Sequence, residues 1–438
     1  MEESCGEEVL ALSLGLAASE PAFSVFKVFK FLIDSRMSVM CGYKVPRRIL
    51  DVSAEAAFKV LRFAKNVERS GRRVIHLEIG EPDFDTPKHI KDAAVEALKK
   101  NLTHYTPTLG IPELRQEIAE SVKRDYGVEV DWERNVAVTT GCKQAILAST
   151  LAIVDEGEEV IYPNPGYPEY EAAAYFAGGR PVPYRLRLEE GFRMTAERLA
   201  ELITPKTKLV VLNTPNNPCG VVMPEEDVRG IVELAEDHGF YILSDEVYRP
   251  ILFDDLKHYS PLHVKKSLDR LIIADGFSKR YAMTGWRLGY ALVPEEILPQ
   301  VFKLLNVMNS CPNSISQYAA LAALRGPQEP VMDMVREYWR RRDAVVEELS
   351  KLEDIRFVKP EGAFYALVDV SKILNRLEVN SEEFVKMLIE RYGAAFLHGT
   401  ALGSYGEGFI RISFAASEED IREGIRLLGK AIEELTRS

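Results

Sequence analysis

The feature that most constrains the fold is an alternation of short runs rich in β-branched and aromatic residues with longer stretches of helical spacing. "VAVTTG" at 136, "EVIYP" at 159, "KLVVLNTP" at 208, "FYILSDE" at 240 and "LIIADGFS" at 271 read as buried strands. Between them, "KQAILASTLAIV" and "EEDVRGIVELAEDHG" place apolar residues three and four apart, and the second ends in Gly239, the residue type that most easily closes a helix. Strand, helix and strand in succession predict an α/β chain with a mostly parallel central sheet covered by helices. From about residue 325 the pattern changes to the charged helix "EYWRRRDAVVEELSKL" and then "GAFYALVDV", which predicts a second, smaller α+β unit.

The chain's 438 residues, 46% of them hydrophobic, suffice for more than one domain. A formal net charge of −12 without a long basic run argues against nucleic acid or an anionic membrane as the main partner. Five cysteines, Cys5, Cys41, Cys142, Cys219 and Cys311, are scattered and form no CxxC pair. Neither a disulfide framework nor a zinc site is expected, and a reducing cytoplasm is the expected compartment. The seven histidines show no HExxH spacing, so no metal site is expected. The acidic start "MEESCGEE" is the wrong charge for a signal peptide. The apolar stretches "VLALSLGLAA" and "FSVFKVFKFLI" fall short of the roughly 20 residues that span a bilayer. A loose amphipathic extension is expected there, with Met37 or Met40 as alternative starts.

In open parallel sheets ligands bind outside the carboxyl ends of the strands, so the residues that follow each run are the candidates. No GxGxxG follows a strand and no P-loop occurs, which sets aside both phosphate-binding fingerprints. Instead, Gly141-Cys142-Lys143 opens a helix after the first run, and Asn217 stands in "PNNPCG" after the third. Asp245 and Tyr248 close the fourth, and Lys279 follows the fifth, with Arg287 eight residues on. Singly, each has an ordinary explanation as a turn or a helix start. Together they match one cofactor. A glycine turn at a helix N-terminus seats a phosphate, and Arg287 adds a two-pronged contact to it. A lysine held at the end of a buried strand is available for covalent chemistry. With an acidic partner for a pyridinium nitrogen, the set meets the needs of pyridoxal phosphate.

Nine motifs in order extend the match over roughly residues 45 to 436. They are "EIGEPDFDTP" at 78, "HYTPTLGIPELR" at 104, "TTGCKQAI" at 139, "PNPGYPEY" at 163, "NTPNNPCG" at 213, "SDEVY" at 244, "FSKRYAMTGWRLGY" at 277, "PEGAFY" at 360 and "GEGFIRISFA" at 406. The chain resembles the fold-type I pyridoxal-phosphate aminotransferases of class I/II, the aspartate/aromatic aminotransferase family. The resemblance implies an N-terminal extension over 1–45 and, over 46–82, an arm with part of the small domain. A large cofactor-binding domain over 83–322 and a C-terminal small domain over 323–438 follow. It makes Lys279 the Schiff-base lysine and proton shuttle, and Asp245 the partner of the pyridine nitrogen. Tyr248 and Asn217 would bond the ring's phenolic oxygen, and Tyr167 would stack on the ring. Gly141, Cys142, Lys143, Ser278 and Arg287 would surround the phosphate. Tyr105 from a second subunit would complete that site, so a homodimer is expected. Arg411 would grip the substrate carboxylate, helped by Gly80 and Asn217.

Three positions depart from the family pattern. Gly276 stands where many members have a phosphate-binding serine, which leaves the phosphate to Ser278, Arg287, Lys143 and the helix end. Cys219 replaces the threonine of "NPTG", and His398 stands where "PG" is usual; both are expected to affect turn geometry only. The activity implied is transfer of an amino group, from aspartate or an aromatic amino acid, to 2-oxoglutarate in two half-reactions. No basic residue lies between Gln144 and Glu159, so the charge that would read an aspartate side chain is unassigned. A β-lyase on sulfur amino acids, or a decarboxylase, would share the cofactor residues. A DNA-binding regulator with a transaminase-like domain would need more than the ~45 N-terminal residues and less acidic charge. Closure of the small domain over substrate is also expected.

Overall fold

The computed structural model describes residues 49, 52 and 56–437. The extension expected over 1–45 and the start of the arm at 46 therefore lie outside the described residues. β1 (Ile75–His76) pairs in parallel with a late strand, while the main sheet begins with β2 (Val136–Thr139). β3 (Glu159–Asn164), β4 (Arg180–Arg185), β5 (Thr207–Asn213), β6 (Tyr241–Asp245), β7 (Leu271–Gly276) and β8 (Gly289–Leu292) complete it. The order is β2-β8-β7-β6-β5-β3-β4, parallel except for β8, which runs antiparallel to both neighbours.

The five runs read from sequence are all strands of this sheet. Helices cover both faces, so alternate residues of one strand enter two different cores. Val210, Leu212, Ile242 and Ile273 face one core, whereas Leu209, Val211, Leu243 and Ile272 face the other. Strands buried on both sides read as continuous apolar runs, which is why these were recognisable. The two strands not anticipated carry weaker signals. β4 contains Pro181 and Pro183, which a ladder tolerates at the sheet edge it occupies. β8 is four residues long. The expected helices form at Cys142–Ile153 and Glu225–His238, the latter closed by Gly239 at φ +78.

A smaller four-stranded antiparallel sheet follows, built from β9 (Arg356–Phe357), β10 (Tyr365–Asp369), β12 (Leu397–His398) and β13 (Phe409–Ser413). The partner of β1 is β11 (Ala394–Ala395). The division expected at 322/323 falls inside helix Ser314–Arg325, which packs on helices Lys88–Lys99 and Pro112–Tyr126. The next helix, Glu329–Leu349, packs instead on the C-terminal helix Glu418–Arg437. Among the described residues, no helix is long and apolar enough to cross a membrane.

Candidate active site

A cavity of about 520 Å³ opens where the parallel strands of the main sheet end. β2 leads through Gly141, at φ +79, into helix Cys142–Ile153. A Cβ on Gly141 would lie 2.8 Å from Arg287 Nη2, so only glycine lets the guanidinium sit against this helix start. Arg287 occupies the left-handed region at φ +52 and donates Nη1 to the Thr284 carbonyl at 2.9 Å. It stands just before β8. Because β8 is antiparallel, its beginning lies at the edge where the other strands finish, and a residue distant from Gly141 in sequence arrives beside it. Helix dipole, guanidinium and Ser278 together make an anion seat.

Asp245 ends β6 on the floor of the cavity and is buried. Its Oδ2 accepts the Tyr170 hydroxyl at 2.7 Å, and its Oδ1 accepts the Val247 N–H at 3.3 Å and the Cys142 thiol at 3.6 Å. Burial pushes the carboxyl up to about 6 in spite of these donors. The same burial raises the Cys142 thiol well above its ordinary range, which keeps it protonated and a donor.

Lys279 Nζ donates to the Gly80 carbonyl at 2.5 Å and lies 5.7 Å from the Phe364 ring centroid. Tyr248 and Tyr365 share a hydrogen bond of 2.8 Å between their hydroxyls. Gly80 has no room for a side chain, since a Cβ there would fall 1.8 Å from the Tyr365 hydroxyl. Arg411, on β13, donates Nη1 to Asn217 Oδ1 at 2.9 Å and Nη2 to the Glu78 carbonyl at 2.7 Å, with its guanidinium 4.4 Å from the Tyr365 ring centroid. Arg411 Nε is buried and has no hydrogen-bond partner among the described residues. Arg411 lines the cavity, where a planar guanidinium is what a carboxylate ligand needs. The backbone of Asn217 is fixed by its N–H to Asn213 Oδ1 at 2.8 Å.

This donor set fits pyridoxal phosphate. An anion seat, an amine and a buried carboxylate with no cation within hydrogen-bond reach among the described residues surround one cavity of small-molecule size. The sequence profile of the aminotransferase class I and II family matches residues 72–428. The chain belongs to that family. The probable aspartate aminotransferase of Methanocaldococcus jannaschii is 42% identical over 365 residues, which cover 82% of this chain and 93% of that protein. Aromatic-amino-acid aminotransferase 2 of Thermococcus litoralis is 39% identical over 363 residues, 82% of this chain and 92% of the relative. Among solved structures, the aspartate aminotransferase of Rhizobium meliloti superposes with a TM-score of 0.84 at 34% identity, over 89% of this chain and 99% of that one. The protein is thus a pyridoxal-phosphate-dependent aminotransferase of fold type I.

The cavity of this aminotransferase is lined by Gly80, Cys142, Lys143, Tyr167, Asn217 and Asp245, and further by Tyr248, Ser278, Lys279, Arg287 and Arg411. Gly141 stands directly behind Arg287. Tyr105 is not among the lining residues; it is 90% exposed on the surface of its own chain. Lys143 is turned toward Glu169, with Nζ to Oε1 at 2.7 Å, and lies 5.8 Å from the Tyr167 ring centroid. Three participants were not singled out from sequence: Tyr170, Tyr365 and Asn213. Tyr170 and Tyr365 end the motifs "PNPGYPEY" and "PEGAFY", and Asn213 begins "NTPNNPCG". Their positions were on view, but their roles depend on contacts across the sheet.

The departures have local causes. Gly276 is paired with Gly289 across β7 and β8, and a Cβ there would sit 3.3 Å from both Gly289 Cα and the Leu288 carbonyl. Cys219 is buried in the turn after β5, its N–H donating to Asn216 Oδ1 at 3.1 Å. His398 ends β12, with Nδ1 2.6 Å from Thr400 Oγ1. The following Gly399 is required because a Cβ would fall 1.8 Å from the Gly406 carbonyl.

Proposed function

We propose that the enzyme moves the amino group of aspartate or an aromatic amino acid to 2-oxoglutarate, working as a cytoplasmic homodimer with shared sites. The observation that carries this reading is the convergence on one cavity of Asp245 at the end of β6, Lys279 just past the end of β7 and Arg411 in the middle of β13. Bound pyridoxal phosphate supplies an electron sink for the carbanion formed when the substrate loses its α-proton. Arg411 binds the α-carboxylate through its planar fork and fixes which bond faces Lys279. The side-chain amine of Lys279 takes the α-proton and returns it on the other side of the reaction. Asp245, ionised, would hold a positive charge on the pyridine nitrogen, and Tyr248 and Asn217 would hydrogen-bond the ring's phenolic oxygen. Tyr167 would offer the ring a flat face, and Gly141, Ser278 and Arg287 would hold the phosphate.

The donor classes follow the relatives' names, which include both aspartate and aromatic aminotransferases. The exposed Tyr105 supports sharing of sites, since its own chain gives it no place in the cavity. The test is the visible band of the holoenzyme after addition of single L-amino acids without any oxo acid. Bleaching of the band, fastest with aspartate or an aromatic amino acid, and its return on adding 2-oxoglutarate are expected. A band that no amino acid bleaches would move the assignment to β-elimination, which released pyruvate and ammonia would reveal.

A further inference from the structure

Behind Arg411 lies a buried carboxylate that the reaction does not use. Along β1 and the two residues after it, side chains alternate between two sides. Ile75 and Leu77 face the C-terminal helix, where a Cβ on Gly424 would come within 2.6 Å of Leu77 Cδ1 and 3.3 Å of Ile75 Cγ2. His76 pairs on the other side with helix Ala56–Arg69 and with Glu78, which is fully buried. Glu78 Oε1 lies 2.8 Å from His76 Nδ1, and Oε2 has no hydrogen-bond partner among the described residues. The far imidazole nitrogen is 3.3 Å from Glu68 Oε1, without hydrogen-bond alignment, and Glu68 pairs with Lys65 at 2.8 Å. The neighbouring strand β11 contributes only Ala394 and Ala395 opposite Ile75 and His76. Among the described residues, the charged groups around this histidine are Glu78, Glu68 and Lys65.

A carboxylate at this depth is costly unless a cation accompanies it. Among the described residues, His76 is the one basic side chain paired with the Glu78 carboxylate, so the ion pair is complete only when the imidazole carries both protons. The hydrogen bond to Glu78 raises the His76 pKa above its ordinary 6.5. Glu78 also belongs to the active site through its main chain. Its carbonyl accepts Arg411 Nη2, and two residues on the Gly80 carbonyl accepts Lys279 Nζ.

We propose that Glu78, held by protonated His76, is a positioning residue for Arg411, so that the grip on the substrate carboxylate loosens when His76 loses its proton. The inference rests on the reading of Arg411 as the carboxylate-binding residue. Deprotonation leaves the Glu78 charge uncompensated. Water entry or rotation of the side chain relieves it, and either displaces the 78–80 backbone on which Arg411 and Lys279 rest. The low-pH form is the ordered one.

The test uses the holoenzyme and two carboxylates without an amino group to transfer, 3-phenylpropionate and maleate, whose dissociation constants are read from the visible band across a pH series. In the wild type the tighter-binding probe is expected to weaken at least threefold as pH rises through the titration of His76. Glu78→Gln, which removes the buried charge, is expected to flatten that step, to change KM for the amino acid more than kcat, and to leave cofactor affinity unaltered. An unchanged pH step in Glu78→Gln overturns the proposal. His76→Asn provides the complementary variant, with weak binding expected at every pH; binding that is tight and still pH-dependent overturns it too. Arg411→Leu separates this failure from failure of the underlying reading: if that variant binds both probes as tightly as wild type, Arg411 is not the carboxylate-binding residue.

Discussion

Tyr170 donates its hydroxyl to Asp245 Oδ2 at 2.7 Å, and both side chains are buried beneath the cavity. This bond holds the carboxylate in one orientation and favours its ionised form, against a burial that pushes the carboxyl up to about 6. Tyr170→Phe is expected to push it higher. A hydrogen bond to a charged group contributes about 1.5–3 kcal/mol, so cofactor affinity near neutral pH should fall roughly ten- to a hundredfold. Titration of apoenzyme with pyridoxal phosphate measures this, and an unchanged dissociation constant would remove Tyr170 from the site.

Asp245 itself is predicted to cost the apoprotein stability. Its folded pKa of about 6 lies above the ordinary 3.8, so between those values the folded chain keeps a proton that the unfolded chain has released. Its contribution is therefore fully present below 3.8, declines as pH rises toward about 6, and stays unfavourable above. Asp245→Asn should stabilise the apoprotein near neutral pH by about 1–3 kcal/mol while weakening cofactor binding at least about tenfold. Urea unfolding of apoenzyme and variant reads the first effect, and cofactor titration the second.

Arg411→Lys keeps the charge but loses the fork that reaches Asn217, the Glu78 carbonyl and a carboxylate together. An increase in KM for amino acids of about ten- to a hundredfold is expected, with cofactor affinity retained. Steady-state kinetics with the best donor decide it, and an unaltered KM would place carboxylate binding elsewhere.

Mixing two inactive variants tests whether sites are shared. Lys279→Ala and Tyr105→Ala chains, mixed and allowed to exchange, should recover about a quarter of wild-type activity, because half the dimers pair unlike chains and each of those rebuilds one intact site. No recovery after verified exchange would confine Tyr105 to its own chain.

Much of the site was legible because its residues follow buried strands, whose apolar runs are hard to miss; Asp245 and Lys279 are the clearest cases. Residues that act through a partner across the sheet were not. Tyr170 matters through Asp245, 75 positions away, and no local pattern marks that contact. The place of Gly276 is likewise a matter of neighbours. Gly276→Ser, which restores the commoner family residue, should press on Gly289 and Leu288 and destabilise by about 1–3 kcal/mol. A lowered thermal midpoint would be the readout; a higher one would mean that the hydroxyl gains more than the crowding loses.

The residues proposed to hold the cofactor come from the seven-stranded sheet, whereas Arg411 and its neighbour Tyr365 come from the four-stranded one. The division is bridged by one bond, because the Tyr365 hydroxyl meets that of Tyr248, so a change in the smaller sheet reaches the proposed ring contacts as well as the proposed carboxylate grip. An engineer altering β10 or β13 would therefore have to follow the binding of the acid and the colour of the cofactor together.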